Sequence, residues 1–259
     1  TLFALGPMCG VTDPDVVLEA ARRCDELGLD TLSAGGTIAF AMECAERGWL
    51  DSTLRFGDGE GLLALLEDIA HRRGLGALLA EGSRSAAVAI GADAPTIAPH
   101  VKGMELPGYE PRALPALALG LAVGTRGADH NRSGAYVIDF SPEGARLTAD
   151  DAKAAAVAPT EDRAALLDSL ILCKFLRGVF EDLEAEAAHM LQAVTGWDVT
   201  ATELRETAAR IVTVKKLFNE REGWRRAEDT LPRRFLTEPL DAPQKGASPA
   251  DGVTLRPHD

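Results

Sequence analysis

Glycine limits how long a helix this chain can build. Through the N-terminal part, apolar residues recur at helical spacing in short runs, and each run stops at a glycine. A glycine in that place can take the positive φ that closes a helix, where other residues are strained. The first run shows the grammar most fully: Asp13 is a capping residue, Pro14 follows at the first helical position, Val16, Val17, Ala20, Ala21, Cys24 and Leu27 form the stripe, and Gly28 ends it. The pattern predicts a helix over 14–27, then helices over 37–47 before Gly48, 60–73 before Gly74 and 77–90 before Gly91. Pro95, Pro99, Pro107 and Pro111 then exclude helix interior. A domain boundary is placed in that segment, giving a helical domain over 1–103, a second over 104–240 and an extended tail over 241–259.

In the second domain the pattern predicts helices over 114–124, 149–158, 161–176, 181–194 and 201–220, with a polar loop over 125–135 and a short strand over 136–140. The longest helix opens with a capping box, Thr200-Ala201-Thr202-Glu203. The apolar start of the chain reads as strand-like. Aromatic residues make up only 5% of the chain, and with Ala, Leu and Glu abundant the fold class is all-α and multihelical, in two helical domains. No repeat of solenoid period occurs.

Charge narrows the function. Lys and Arg number 27 against 40 Asp and Glu, a formal net charge of −13, and no basic face is in evidence to displace counterions from phosphates, so nucleic acid is excluded as a partner. No apolar stretch approaches the roughly 20 residues that span a bilayer, so no membrane partner is expected. The four cysteines, Cys9, Cys24, Cys44 and Cys173, are too few for a disulfide framework and form no C-x-x-C pair. That usage fits a reducing, cytoplasmic setting.

There is no Walker loop, G-x-G-x-x-G, H-E-x-x-H or G-x-S-x-G. Three segments gather small and ionisable residues instead. Asp25 and Asp30 flank the Gly28 turn, and acids there face the negative end of the helix dipole; solvated acids on an ordinary turn and a pair of acceptors for a ligand rich in N–H groups are both open readings. His130 lies in the loop Arg126-Gly127-Ala128-Asp129-His130-Asn131-Arg132, as a surface histidine or a proton shuttle. Cys173 follows Asp168-Ser169-Leu170-Ile171-Leu172 on an apolar helix face, as a small core residue or a single thiolate ligand.

Several segments together, in one order, resemble the tungsten-containing aldehyde:ferredoxin oxidoreductase family. They are Gly6-Pro7-Met8-Cys9-Gly10; Asp25-x-x-Gly28-Leu29-Asp30, like the family's pterin-binding D-x-x-G-L-D; Leu79-Ala80-Glu81-Gly82-Ser83; Lys102-Gly103-Met104-Glu105-Leu106-Pro107; Arg126-Gly127-Ala128-Asp129-His130; and Phe218-Asn219-x-Arg221-Glu222-Gly223. The resemblance implies that the chain is the two helical domains of an enzyme in which a tungstopterin, or molybdopterin, oxidises an aldehyde and a nearby [4Fe-4S] cluster passes electrons to ferredoxin. It implies Asp25, Gly28, Leu29 and Asp30 as contacts of one pterin. Asp168 and Leu172 match the second motif, D-x-x-G-L-C, as contacts of the other, with Cys173 as a cluster ligand and His130 beside the metal.

Ile171 stands where that second motif has glycine, narrowing the backbone's approach to a ligand. The family's other cluster cysteines, a C-x-x-C-x-x-x-C run, and its β-rich N-terminal domain lie outside this sequence, so the isolated chain is expected to be inactive and to need that missing domain or subunit as a partner. A homodimer is a further partner the resemblance implies. Some family members bridge subunits by a metal on E-x-x-H; here the stretch is Glu19-Ala20-Ala21-Arg22, and no bridging metal is expected. The alternative to a catalytic part is a helical scaffold that has lost the cofactor, which Ile171 favours.

Overall fold

A computed structural model describes residues 1–142 and 146–240; the tail expected over 241–259 lies outside the described residues. The described residues form fourteen α-helices and one two-stranded ladder, so the fold is all-α. No described helix is long and apolar enough to cross a membrane. Contacts divide the chain into two compact units, Thr1–Arg112 with the described residues from Thr230 on, and Ala113–Asp229.

The first unit contains α1 (Leu2–Leu5), α2 (Pro14–Leu27), α3 (Thr31–Glu46), α4 (Gly59–Ala70), α5 (Leu75–Leu79), α6 (Gly82–Ile90), α7 (Ala94–Ile97) and the antiparallel pair β1 (His100–Val101) and β2 (Met104–Glu105). The helix at α2 has the bounds its punctuation predicts, with the Asp13 side chain accepting from the Asp15 N–H. Its neighbours differ. The start of the chain is helix, not strand, because Ala4 and Leu5 pack against α3. Helix α3 begins well before the predicted 37, and it runs through Gly35 and Gly36. Glycine inside a helix costs about 0.5–1 kcal/mol, but a Cβ on Gly35 would lie 2.4 Å from the Ala4 carbonyl oxygen, so close packing on α1 requires the glycine. Cys9 joins the same contact, its thiol donating to the carbonyls of Ala4 (3.3 Å) and Gly35 (3.5 Å). Around them Leu5, Val17, Ile38, Met42, Leu62 and Leu66 form the core.

The single helix expected over 77–90 is two, α5 and α6. Gly82 takes φ +79° between them, and the buried Glu105 of β2 accepts from both the N–H and the hydroxyl of Ser83 at 2.8 Å. The strand pair thus caps α6, which is why residues to Arg112 stay with the first unit, beyond the expected boundary at 103. The segment from Thr230 returns to this unit through α14 (Arg233–Thr237), where the Arg234 guanidinium grips Glu43 of α3 at 2.6 and 2.9 Å.

The second unit contains α8 (Pro115–Val123), α9 (His130–Ser133), α10 (Tyr136–Asp139), α11 (Asp151–Ser169), α12 (Leu183–Thr195) and α13 (Ala201–Arg221). Here α8 is apolar on all sides and almost wholly buried. The strand expected over 136–140 is the short helix α10, which puts Asp139 beneath α8. Its carboxylate accepts from the N–H groups of Ala116 (3.2 Å) and Leu117 (2.9 Å) and is paired with the buried Lys153 ammonium at 3.3 Å. The two helices expected on either side of Pro159 are one, α11. A proline in a helix interior costs about 3 kcal/mol, which the packing of α11 on α8, α9 and α13 offsets. Beside it the Thr160 hydroxyl reaches the Ser133 carbonyl at 2.6 Å. The capping box at Thr200 forms as its residues predict.

Removing the Asp139 carboxylate takes the paired charge from the buried Lys153 ammonium and reopens two helix amides. Asp139→Ala is expected to lower the stability of this unit by about 3–5 kcal/mol in denaturant titration, whereas the exposed Asp151→Ala is expected to cost less than about 1 kcal/mol.

Candidate functional site

The first candidate turn grows from the end of α2. Gly28 takes φ +71°, its N–H donates to the Asp25 carbonyl (3.4 Å) and the Leu29 N–H to the Cys24 carbonyl (2.8 Å), the hydrogen-bond pair of a Schellman motif. Asp30 is extended (φ −70°, ψ 124°) and caps α3, its side chain accepting from the Ser33 N–H at 2.7 Å. Asp25, Gly28 and Asp30 are exposed. A Cβ added to Gly28 would meet nothing within 4 Å, so the backbone here faces open space. Beneath it the Cys24 thiol is pushed up to about 11, first by burial and then by the charges of Asp25 and Asp30.

The second turn, at the end of α11, has the same backbone. The Ile171 N–H donates to the Asp168 carbonyl (3.2 Å) and the Leu172 N–H to the Leu167 carbonyl (2.9 Å). Cys173 is extended (φ −63°, ψ 133°) and precedes a 3₁₀ turn over Lys174–Gly178. Asp25 thus corresponds to Asp168, Gly28 to Ile171, Leu29 to Leu172 and Asp30 to Cys173. Cys173 is not on a helix face; it is exposed, just past the helix end. Ile171 takes φ +58°, a conformation that costs a β-branched residue on the order of 1–3 kcal/mol, and it leaves its side chain 92% exposed. With its side chain so exposed, Ile171 itself gains little packing to offset that strain.

Asp168 is partnered where Asp25, among the described residues, is not. The Arg132 guanidinium bonds one carboxylate oxygen, and the Lys174 ammonium lies 3.5 Å from the other. Burial, the largest influence, pulls the Lys174 ammonium below its usual range, with Asp168 acting against it.

Arg132 and His130 both come from α9, whose placement starts at Thr125. The Asn219 side-chain amide of α13 donates to the Thr125 carbonyl at 2.6 Å. Arg126 then pairs with Asp129 at 2.7 Å, and Asp129 caps α9 by accepting from the N–H groups of Asn131 (2.9 Å) and Arg132 (3.2 Å). His130 opens α9, half-buried, its ring centroid 6.1 Å from that of Tyr136. A pocket of about 240 Å³ lies beside this loop, with Arg126, Arg132, Glu161, Asp168 and Lys215 in its wall. Burial pushes the Glu161 carboxyl up, and neighbouring Asp162 adds to it, while the Thr125 N–H and Lys215 oppose.

Within its unit, then, the structure gathers Asp25, Gly28, Leu29 and Asp30 on one turn. In the other unit it gathers Asp168, Leu172 and Cys173 on a second turn, with His130 on the loop whose Arg132 bonds Asp168. The sequence reading missed Glu161 and Arg132 as members of this group, since a Glu in a long helix and an Arg in a polar loop carry no local signal. Among the described residues no three His, Cys, Asp or Glu side chains gather as a metal site. At Glu19, Arg22 and Arg23 occupy the carboxylate at 2.7 and 2.8 Å.

Residues 1–256 match the family described as aldehyde ferredoxin oxidoreductase, domains 2 and 3. The tungsten-containing aldehyde ferredoxin oxidoreductases of Thermococcus kodakarensis and Pyrococcus furiosus are each 39% identical over 261 residues, which is 95% of this chain and 42% of each relative. The WOR-like subunit of an aliphatic sulfonate oxidoreductase from Pyrococcus furiosus is 29% identical, over 95% of this chain and 39% of that protein. The chain therefore spans well under half the length of these relatives. Among solved structures, the active site complex BamBC of benzoyl coenzyme A reductase, in complex with 1,5-dienoyl-CoA, has a TM-score of 0.70 at 24% identity, over 85% of this chain and 40% of that one, a likeness of fold.

Two outcomes follow from the turns. Ile171→Gly removes a strained conformation and is expected to raise stability by about 1 kcal/mol net of glycine's extra freedom in the unfolded chain, read as a higher denaturation midpoint. In metal-free protein, Cys173 is expected to react with Ellman's reagent in the native state, whereas buried Cys9, Cys24 and Cys44 react only after denaturation; Cys9, its thiol pushed up to about 12 chiefly by burial, should be the slowest.

Proposed function

The chain belongs to the aldehyde ferredoxin oxidoreductase family, as its domains 2 and 3, and from that premise we propose that it is the helical part of an oxidoreductase that converts an aldehyde to a carboxylic acid at a tungsten- or molybdenum-pterin centre. The observation that carries the reading is the pair of like turns, each offering an aspartate in the last helical turn, a left-handed residue, a leucine and an extended donor residue.

The residues fit such a group unequally. At the first turn the exposed acids of Asp25 and Asp30 can accept from a ring edge rich in N–H groups, and Gly28 lets the backbone approach without a side chain between. At the second, Asp168 already holds two cations and Ile171 projects a side chain where Gly28 has none. The metal–pterin group supplies, when bound, the two-electron redox chemistry. His130 is assigned to hold or move a proton at the substrate oxygen, as a half-buried imidazole fixed at a helix start. Cys173 supplies one thiolate toward a [4Fe-4S] cluster, which needs four ligands. Cys9, Cys24 and Cys44 are buried and unsuited to serve, so the other ligands come from a further polypeptide segment, and electrons leave toward ferredoxin in a reducing cytoplasm.

A second reading, a helical scaffold that no longer carries the cofactor, draws on Ile171 and the neutralised Asp168. Metal analysis separates the two. Together with the segment that carries the remaining cluster cysteines, the protein is expected to hold tungsten or molybdenum with iron and acid-labile sulfide, and to reduce viologen dye with an aldehyde. Asp25→Ala should lower bound tungsten or molybdenum by about tenfold or more. The assembled protein retaining no metal would establish the scaffold, and a chain that oxidises aldehyde alone would overturn the shared-cluster assignment.

A further inference from the structure

The grip on Thr125 is more than the fold needs. Thr125 follows the end of α8 in a stretch that contains Gly124 and Gly127, the latter at φ +96°, and such a stretch is intrinsically loose. The Thr125 carbonyl is nonetheless held by a side chain from another helix, the Asn219 amide of α13 at 2.6 Å. A carbonyl only accepts, so the Asn219 group facing it is its NH₂ end. A carbonyl in a partly open loop has water as an ordinary partner, and fixing a side-chain amide to hold it carries an entropy cost. That cost is met where the loop position matters. What lies downstream is a short series of fixed links: Arg126 to Asp129 at 2.7 Å, Asp129 onto the first amides of α9, and His130 as the opening residue of α9.

We propose that Asn219 is a positioning residue for His130, acting through the Thr125 carbonyl that it holds from α13. The proposal rests on the assignment of His130 as proton handler made above. The Asn219 amide does not touch the reacting atoms; it sets where the imidazole stands, and misplacement on the order of 1 Å costs about 100-fold in rate.

The test uses the metal-loaded holoenzyme. Asn219→Asp keeps the side chain's size, deletes the donor and sets a carboxylate against the Thr125 carbonyl. It is expected to lower kcat by about 10- to 100-fold with KM for the aldehyde changed less than about twofold. Metal content and melting temperature should hold, while amide exchange quickens over residues 125–132 alone. In a His130→Gln background, Asn219→Asp should add less than about a twofold loss, since both act through one group. An undiminished loss in that background, or a loss of kcat accompanied by a lower melting temperature and exchange spreading beyond the loop, overturns the positioning role and leaves the His130 assignment standing. Full kcat in His130→Gln itself overturns the assignment and the positioning role together.

Discussion

The ends of its helices govern this structure more than their middles do. Each helix start leaves amide N–H groups, and each end leaves carbonyls, without partners inside the helix, and a fold of many short helices multiplies that demand. Local caps meet part of it, as at Asp13, Asp30, Asp58, Asp150 and Asp182. Where the local residue has no cap to offer, an acid distant in sequence does the work: Glu105 on α6 and Asp139 on α8. These two contacts hold elements that local sequence leaves undetermined. The β1–β2 pair stays with the first unit because its carboxylate caps α6, and α10 lies under α8 because Asp139 must reach two amides there.

The same rule explains both turns of the candidate site. A Schellman motif closes a helix by spending a left-handed residue on two carbonyls, and it releases the chain in an extended conformation, which is where Asp30 and Cys173 sit. A donor residue placed there projects from the helix end and stands clear of the helix face. At Gly28 the left-handed residue costs nothing beyond glycine's entropy. Ile171 holds the same φ region with a branched side chain, so the second turn is kept in shape by its surroundings, the Leu170 contact with the unit's core and the Arg132 and Lys174 bonds to Asp168.

How much of this could be read in advance follows from which interactions are local. The bounds of α2 and the box at Thr200 were legible because cap, stripe and stop all lie within one short segment. Gly35 misled, since its value lies in contact with Ala4, a helix away. Pro159 misled for the same reason: local sterics mark a break, and packing on three helices overrides it. Asp139 fell inside the strand expected over 136–140, a run of aromatic and β-branched residues around it, and nothing nearby reveals the amides of α8. At the site, Asp25, Asp30, Asp168 and Cys173 were named from spacing and resemblance, but Asn219 meets the loop through the carbonyl of Thr125, a relation that no residue spacing encodes.

The carboxylates also sort themselves by whether their bonds close. Glu105 and Asp139 are buried and have donors on their oxygens, so their roles are complete within the fold. Asp168 lies in the last turn of α11, facing the negative end of the dipole, and two cations offset that. Asp25 occupies the matching place in α2, with no basic residue in that turn and no hydrogen bond or ion pair on its carboxylate among the described residues. An acid there costs from a few tenths to about 1 kcal/mol, and nothing in the described residues returns it. An exposed acid kept at a cost, on a turn whose glycine leaves open space above the backbone, is poised to accept donors from outside the chain. On the proposed reading the first turn would be the stronger ligand contact of the two, with Cys173 the contribution of the second.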